Sequence, residues 1–198
     1  MVAAEGIIRR VPHCLEQLRF QEAERPIILQ IFGSNPKSMA KAAQIIETEF
    51  KPDGLDINFG CPVQKAAKQG FGAVLLRDTK KAVEIIKAVK KVLKKTPLSI
   101  KIRLNDDIED TISFIKAAQK AGVEMVAIHG RSLTQKYRGS ANYDVLHEIK
   151  NHFTDLMILG SGDIRTRDDI DNNLGNLDGL LVGRAAKIRP EVFQDLKN

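Results

Sequence analysis

The chain has 198 residues, 43% of them hydrophobic, which suits one substantial core and a single domain. No apolar run is long enough to span a bilayer, the first residues lack a signal-peptide core, and only Cys14 and Cys61 are available for disulfides; a membrane span and a disulfide-stapled scaffold are excluded and a reducing cytoplasm is expected. The formal charge of +6 is a modest excess that favours a polyanionic partner without naming one.

Residues 1 to about 25 read as a mixed, helical segment, in which Cys14 has no supporting motif and is expected to pack. Pro26-Ile27-Ile28-Leu29-Gln30-Ile31-Phe32 reads as a buried strand, and Gly33-Ser34-Asn35-Pro36 supplies turn and helix-start residues. The following helix carries Met39, Ala42, Ala43, Ile46 and Phe50 on one face.

Leu55-Asp56-Ile57-Asn58-Phe59-Gly60-Cys61-Pro62 is a second strand with a reactive-looking exit. Alternation puts Leu55, Ile57 and Phe59 on one side and Asp56 and Asn58 on the other. Gly60 permits a sharp turn and Pro62 fixes the backbone just beyond Cys61, so the thiol is held at a strand exit; the plainer reading is a small buried cysteine beside an ordinary turn.

After the loop Gly70-Phe71-Gly72, a helix from about Thr79 places Ala82, Ile85, Ile86, Val89, Val92 and Leu93 at helical spacing. Its other face carries Lys80, Lys81, Lys87, Lys90, Lys91, Lys94 and Lys95, either a solvated outer face or part of a nucleic-acid surface. The strand over residues 98–104 turns Lys101 and Arg103 to one side, where buried cations need partners. A helix over about 110–121 leads to the strand ending in Ile128-His129, then Gly130-Arg131-Ser132. Two more strands end in Gly160-Ser161-Gly162-Asp163 and Gly183-Arg184-Ala185-Ala186.

Six apolar strands alternate with helices and none are close enough for hairpins, which predicts a parallel sheet in an α/β fold. Gln30, Asn58, Lys101 and His129 all fall at or near strand C-termini, the rim that holds the active site in a (β/α)8 TIM barrel; an open doubly wound sheet binds ligands at the same edge. The last two Gly-rich strand ends, beside Arg184, suit a phosphate. An inward Lys101 suits a ligand that gains negative charge on reduction, as a flavin does, or a structural ion pair with Asp56; His129 could equally be a satisfied core histidine.

Together, Asp56-Ile57-Asn58-Phe59-Gly60-Cys61-Pro62 with Lys65 and Gly72, Lys101-Ile102-Arg103, Ile128-His129-Gly130-Arg131, Gly162-Asp163-Ile164 and Gly183-Arg184-Ala185-Ala186 resemble the tRNA-dihydrouridine synthases over nearly the whole chain. The resemblance implies an FMN-dependent TIM-barrel enzyme that reduces the 5,6 double bond of selected tRNA uridines with NADPH. It implies that Cys61, as a protonated thiol, is the general acid at uracil C5. It further implies that Asn58, Lys65, Arg103 and Arg131 lie near the substrate. Gln30, Lys101 and His129 would hold the flavin ring and ribityl chain, and Gly162, Asp163, Gly183 and Arg184 its phosphate end.

The chain departs from the family's pattern at both ends. It is read as lacking the Ala-Pro-Met type of strand and loop expected at its start and the helical tRNA-binding domain expected after residue 198, and Ser161 stands where the family has asparagine. The expectation is a partial FMN-binding TIM-barrel domain over residues 1–198, an incomplete barrel of about six strands whose unclosed edges invite association with another chain. Two alternatives remain: another FMN-barrel pyrimidine dehydrogenase, such as a dihydroorotate dehydrogenase, or a non-catalytic remnant with weak RNA binding.

Overall fold

A computed structural model describes residues 1–63 and 68–196. It contains one parallel sheet of seven strands in strictly sequential order: β1 (Val2–Ala3), β2 (Ile28–Phe32), β3 (Gly54–Phe59), β4 (Leu98–Leu104), β5 (Met125–Ser132), β6 (Met157–Ser161) and β7 (Gly179–Leu181). A doubly wound sheet reverses its strand order partway. Here every strand pairs with its sequence neighbour, which is barrel winding, and β1 and β7 each have one partner. The count exceeds the expected six because Val2–Ala3, too short to show alternation, pairs with Ile31 and Phe32.

The helices fall where caps and apolar spacing place them. In α1 (Ala4–Ile8) Ile7 is buried, and α2 (Pro12–Glu16) starts on a proline and carries Cys14, half-buried against the core. The Asn35 side chain accepts from Lys37 and Ser38 N–H to start α3 (Pro36–Ile45). That helix runs into a π-turn (Ile46–Phe50), which leaves Phe50 half-buried, and ends at Lys51 in the left-handed region.

Asp78 caps α4 (Thr79–Val92), whose Ala82, Ile85, Ile86 and Val89 are buried. Of its lysines and those just beyond, Lys80, Lys87, Lys91, Lys94 and Lys95 are exposed, whereas Lys90 pairs with Glu124. Asp107 caps α5 (Ile108–Lys120), so it begins two residues before the expected start. Asn142 caps α6 (Tyr143–Asn151) and a Thr166/Asp169 box starts α7 (Arg167–Asn173). Short helices α8 (Arg184–Ile188) and α9 (Val192–Asp195) follow β7. Among the described residues no helix is long and apolar enough to cross a membrane.

The two faces of the sheet differ in kind. Leu55, Ile57, Phe59, Ile100, Ile102, Val126 and Ile128 are all at or near zero exposure, in one core with the apolar stripes of α3 to α6. Phe59 meets Phe114 of α5 edge-on, with centroids 6.1 Å apart. On the other face, register aligns Gln30 with Asp56 and Asp56 with Ser99, then Asn58 with Lys101, then Arg103 with His129 and His129 with Ser161. Side chains in register point to the same side, so alternation turns three rows of polar groups into the concave side of the curved sheet.

Phe114 lies far from those rows and is 1% exposed. Phe114→Ala is expected to cost about 3–5 kcal/mol of stability. Urea denaturation should show a lowered midpoint with an unchanged slope.

Candidate active site

One cavity of about 330 Å³ opens at the C-terminal ends of the strands, and Gln30, Asn58, Cys61, Lys101, Arg103, His129, Gly162, Asp163, Gly183 and Arg184 all line it. Ten positions scattered over 155 residues of sequence are thus brought together by strand register. Arg131 is not among them: 4% exposed and bonded to Asp163, it lines a separate, neighbouring cavity on that residue's other side. Lys65 falls outside the described residues. No cluster suited to a metal ion occurs among the described residues.

Cys61 sits where β3 ends. The Asn58 Oδ1 accepts from Gly60 N–H at 3.2 Å and from Cys61 N–H at 3.0 Å, so the side chain closes the turn beneath the thiol. Ala73 N–H donates to the Cys61 carbonyl at 3.0 Å, and Gly72, at φ +74°, passes so close that a Cβ there would lie 2.8 Å from that oxygen. Glycine at 72 is required by both conformation and space. The Asn58 Nδ2 donates to Gln30 Oε1 at 3.0 Å, and both Asn58 oxygen contacts are to backbone. The direct work of Asn58 is on the Cys61 turn.

The cations of the cavity are of two kinds. Arg103 donates through Nε to Gly60 O at 3.0 Å and through Nη1 to Lys136 O at 2.6 Å, and its guanidinium lies 5.2 Å from the Tyr137 ring centroid. It braces the Cys61 turn against the loop after β5. Lys101, by contrast, has no hydrogen bond or ion pair among the described residues. Burial pushes its ammonium pKa down, and the nearby Asp56 carboxylate works against that. The direct Asp56–Lys101 ion pair weighed from the sequence is not formed: Asp56 accepts from Gln30 Nε2 at 2.6 Å and Ser99 Oγ at 2.7 Å.

His129 is held neutral. Burial, then the charges of Arg103, Lys101 and Arg131, lower its pKa from 6.5 to about 4. Arg131 Nη1 approaches its Nε2 at 3.4 Å, and a guanidinium can only donate, which puts the imidazole proton on Nδ1.

Asp163 organises the far wall. It sits at φ +58° after Gly162 at φ +124°, and its carboxylate takes Arg131 Nη2 at 2.6 Å, Arg184 Nη2 at 2.8 Å and Ala141 N–H at 2.9 Å. Partial burial would raise its pKa, but those three donors hold it below the usual carboxylate range. A Cβ at Gly162 would lie 2.7 Å from Ala141 Cβ, whereas one at Gly183 would meet nothing within 4 Å. Gly162 is therefore needed for packing, and Gly183 faces open space beside Arg184.

A register shift between β4 and β5 after Arg103 inserts Gly130 and Arg131, and that irregularity swings Arg131 toward the loop carbonyls of Arg138 and Gly139. The sequence reading missed this rearward placement, and it missed Tyr137, 63% exposed at the rim. An aromatic in the polar loop Gln135-Lys136-Tyr137-Arg138-Gly139 was the available signal. It also missed Tyr143, whose hydroxyl donates to Gly162 O at 2.7 Å and whose pKa is pushed up by burial.

Comparison with known proteins places this site in a family context. A family model described as "Dihydrouridine synthase (Dus)" matches residues 1–198. The chain is 36% identical to the probable tRNA-dihydrouridine synthase of Aquifex aeolicus, across all of this chain and 63% of that protein. It is 34% identical to tRNA-dihydrouridine synthase B of Pseudomonas aeruginosa, across 87% of this chain and 52% of that one. The chain thus spans about half to under two thirds of these relatives' length.

Among solved structures, DHODH from Eimeria tenella in complex with ferulenol superposes with a TM-score of 0.67 at 15% identity, over 89% of this chain and 57% of that chain. N-acetylneuraminate lyase from Mycoplasma synoviae does so with 0.61 at 17% identity, over 85% and 57%. At these identities the likeness concerns the fold: an incomplete (β/α)8 barrel.

The neutral imidazole gives a pH signature. The folded value near 4 lies below the ordinary 6.5, so as pH falls the unfolded chain binds the proton first. The contribution of His129 to stability is full above pH 6.5 and lost as pH falls toward about 4. Thermal melts of the parent and of His129→Gln should show a gap in melting temperature that narrows over that window.

Proposed function

The chain belongs to the dihydrouridine synthase family, and from that premise we propose that its rim cavity reduces the 5,6 double bond of a uridine in tRNA, with FMN as cofactor and NADPH as reductant. The observation that carries this reading is the pairing of a thiol fixed at the cavity mouth with a cation, Lys101, that has no partner among the described residues. A largely buried cation that no carboxylate contacts directly favours a ligand that brings negative charge. Gly183 opens the wall beside Arg184, where backbone can approach a phosphate. These features fit FMN.

Lys101, His129 and Gln30 are assigned to the flavin ring and ribityl chain, and Gly162, Gly183 and Arg184 to the phosphate, with Asp163 orienting Arg184. The cofactor's part, once bound and reduced by NADPH, is to supply hydride for uracil C6. Cys61 donates its thiol proton to C5 and recovers a proton from solvent, giving the saturated ring. Asn58 and Arg103 hold the Cys61 turn against the substrate side of the cavity, and Arg131 acts through Asp163. Lys65 is assigned to the substrate from the motif alone.

The target base must leave its stack to enter the cavity, so RNA is expected to lie over the rim, where Tyr137 offers a ring for stacking. The exposed lysines of α4 extend the basic surface. Association with another chain at the open edges of β1 and β7 is part of the same proposal.

The test incubates the chain with FMN, NADPH and unmodified tRNA and counts dihydrouridine in the digested RNA by mass spectrometry. Cys61→Ala should lower turnover by about a hundredfold or more while retained flavin stays constant. A parent protein that makes no dihydrouridine, or a Cys61→Ala variant as fast as the parent, contradicts the reading.

A further inference from the structure

Asp56 and Ser99 have no part in the chemistry assigned above, yet they are 6% and 4% exposed on the inner face of the sheet. They begin a line of hydrogen bonds that ends at Cys61. Ser99 Oγ and Gln30 Nε2 donate to the Asp56 carboxylate at 2.7 and 2.6 Å. Gln30 Oε1 accepts from Asn58 Nδ2 at 3.0 Å, and Asn58 Oδ1 accepts from the N–H groups of Gly60 and Cys61.

The direction of this line is set at one end. A backbone N–H can only donate, so the Asn58 oxygen must face the Cys61 turn and its nitrogen must face Gln30. Gln30 must then accept with its oxygen and donate with its nitrogen, and residue 56 must offer an acceptor. Reversing either amide would set donor against donor or acceptor against acceptor. We propose that Asp56 is a positioning residue: as terminal acceptor of this directed line it fixes, through Gln30 and Asn58, the turn that holds the Cys61 thiol.

The line spans three adjacent strands through register partners Gln30, Asp56 and Ser99, so it also ties the turn to the body of the sheet. Its geometry holds whatever Cys61 does; that it serves proton delivery rests on the function proposed above.

Asp56→Asn keeps an acceptor oxygen for Gln30 and can turn its amide toward Ser99 Oγ, which has the Leu55 carbonyl at 3.5 Å as an outlet. Asp56→Leu removes the acceptor. Gln30→Leu breaks the line one step nearer the turn, at a half-buried position where the fold has less to lose. The readout is amide hydrogen exchange by NMR at Gly60 and Cys61, with the amides of Ile86 and Val89 in α4 as internal reference.

Losing the line should speed exchange at Gly60 and Cys61 by about tenfold in Asp56→Leu and Gln30→Leu, with the α4 amides unmoved. Asp56→Asn should keep the parent's rates. Between the two Asp56 variants dihydrouridine formation should follow the same order through kcat, with KM for tRNA unchanged; Gln30→Leu, which also alters the proposed flavin site, is read by exchange alone.

Unchanged exchange at Gly60 and Cys61 in Gln30→Leu, equal rates in Asp56→Asn and Asp56→Leu, or a rise shared by the α4 amides would overturn the proposal. Should Asp56→Leu not fold, Gln30→Leu and Asp56→Asn decide it. A parent without dihydrouridine activity would sink the functional reading alone, because the exchange result does not depend on it.

Discussion

A sheet wound in one direction turns the same side of every strand inward, and whatever polar groups lie there must find partners away from bulk water. That constraint shapes this molecule. The outer side of β2 to β6 meets it with aliphatic side chains under helices, at no electrostatic cost. The inner side carries Gln30, Asp56, Asn58, Ser99, Lys101, Arg103, His129 and Ser161, and register assigns each its neighbour. Amides and carboxylate satisfy one another across β2, β3 and β4, and Arg103 and Arg131 are absorbed by loop carbonyls. Lys101 is left facing the cavity.

The electrostatics follow from that arrangement. Burial, and then the three cations around it, keep the His129 imidazole neutral, so it can offer one donor and one acceptor without adding charge. The carboxylate of Asp163, in the far wall, is divided between Arg131 and Arg184. The remaining imbalance is positive, which suits the phosphate-bearing ligand proposed above.

Much of this was readable in the chain before its shape was known. Gly60, Cys61 and Pro62 mark a fixed strand exit because their backbone preferences are local, and the strand ends at Gly162 and Gly183 carry the same kind of signal. What depended on pairing between strands was not readable. Asn58 looks like a ligand-facing amide until Gln30, in register with Asp56 two residues earlier, takes its Nδ2 and the turn's N–H groups take its oxygen. Arg131 follows a strand end in sequence, but a shift in register sends it behind Asp163. The strand formed by Val2 and Ala3 is too short to have a pattern; the choice of a barrel over a doubly wound sheet, which no segment encodes alone, came from the family resemblance and agrees with the strand order.

The central claim is that these inward groups form a flavin site, and the most direct measurement is the visible absorption spectrum of the chain after incubation with FMN and removal of the excess. The account predicts a retained flavin band near one equivalent per chain, and a large loss of it in Lys101→Met. A colourless parent protein, or a Lys101→Met variant that keeps its flavin as tightly as the parent, would contradict it.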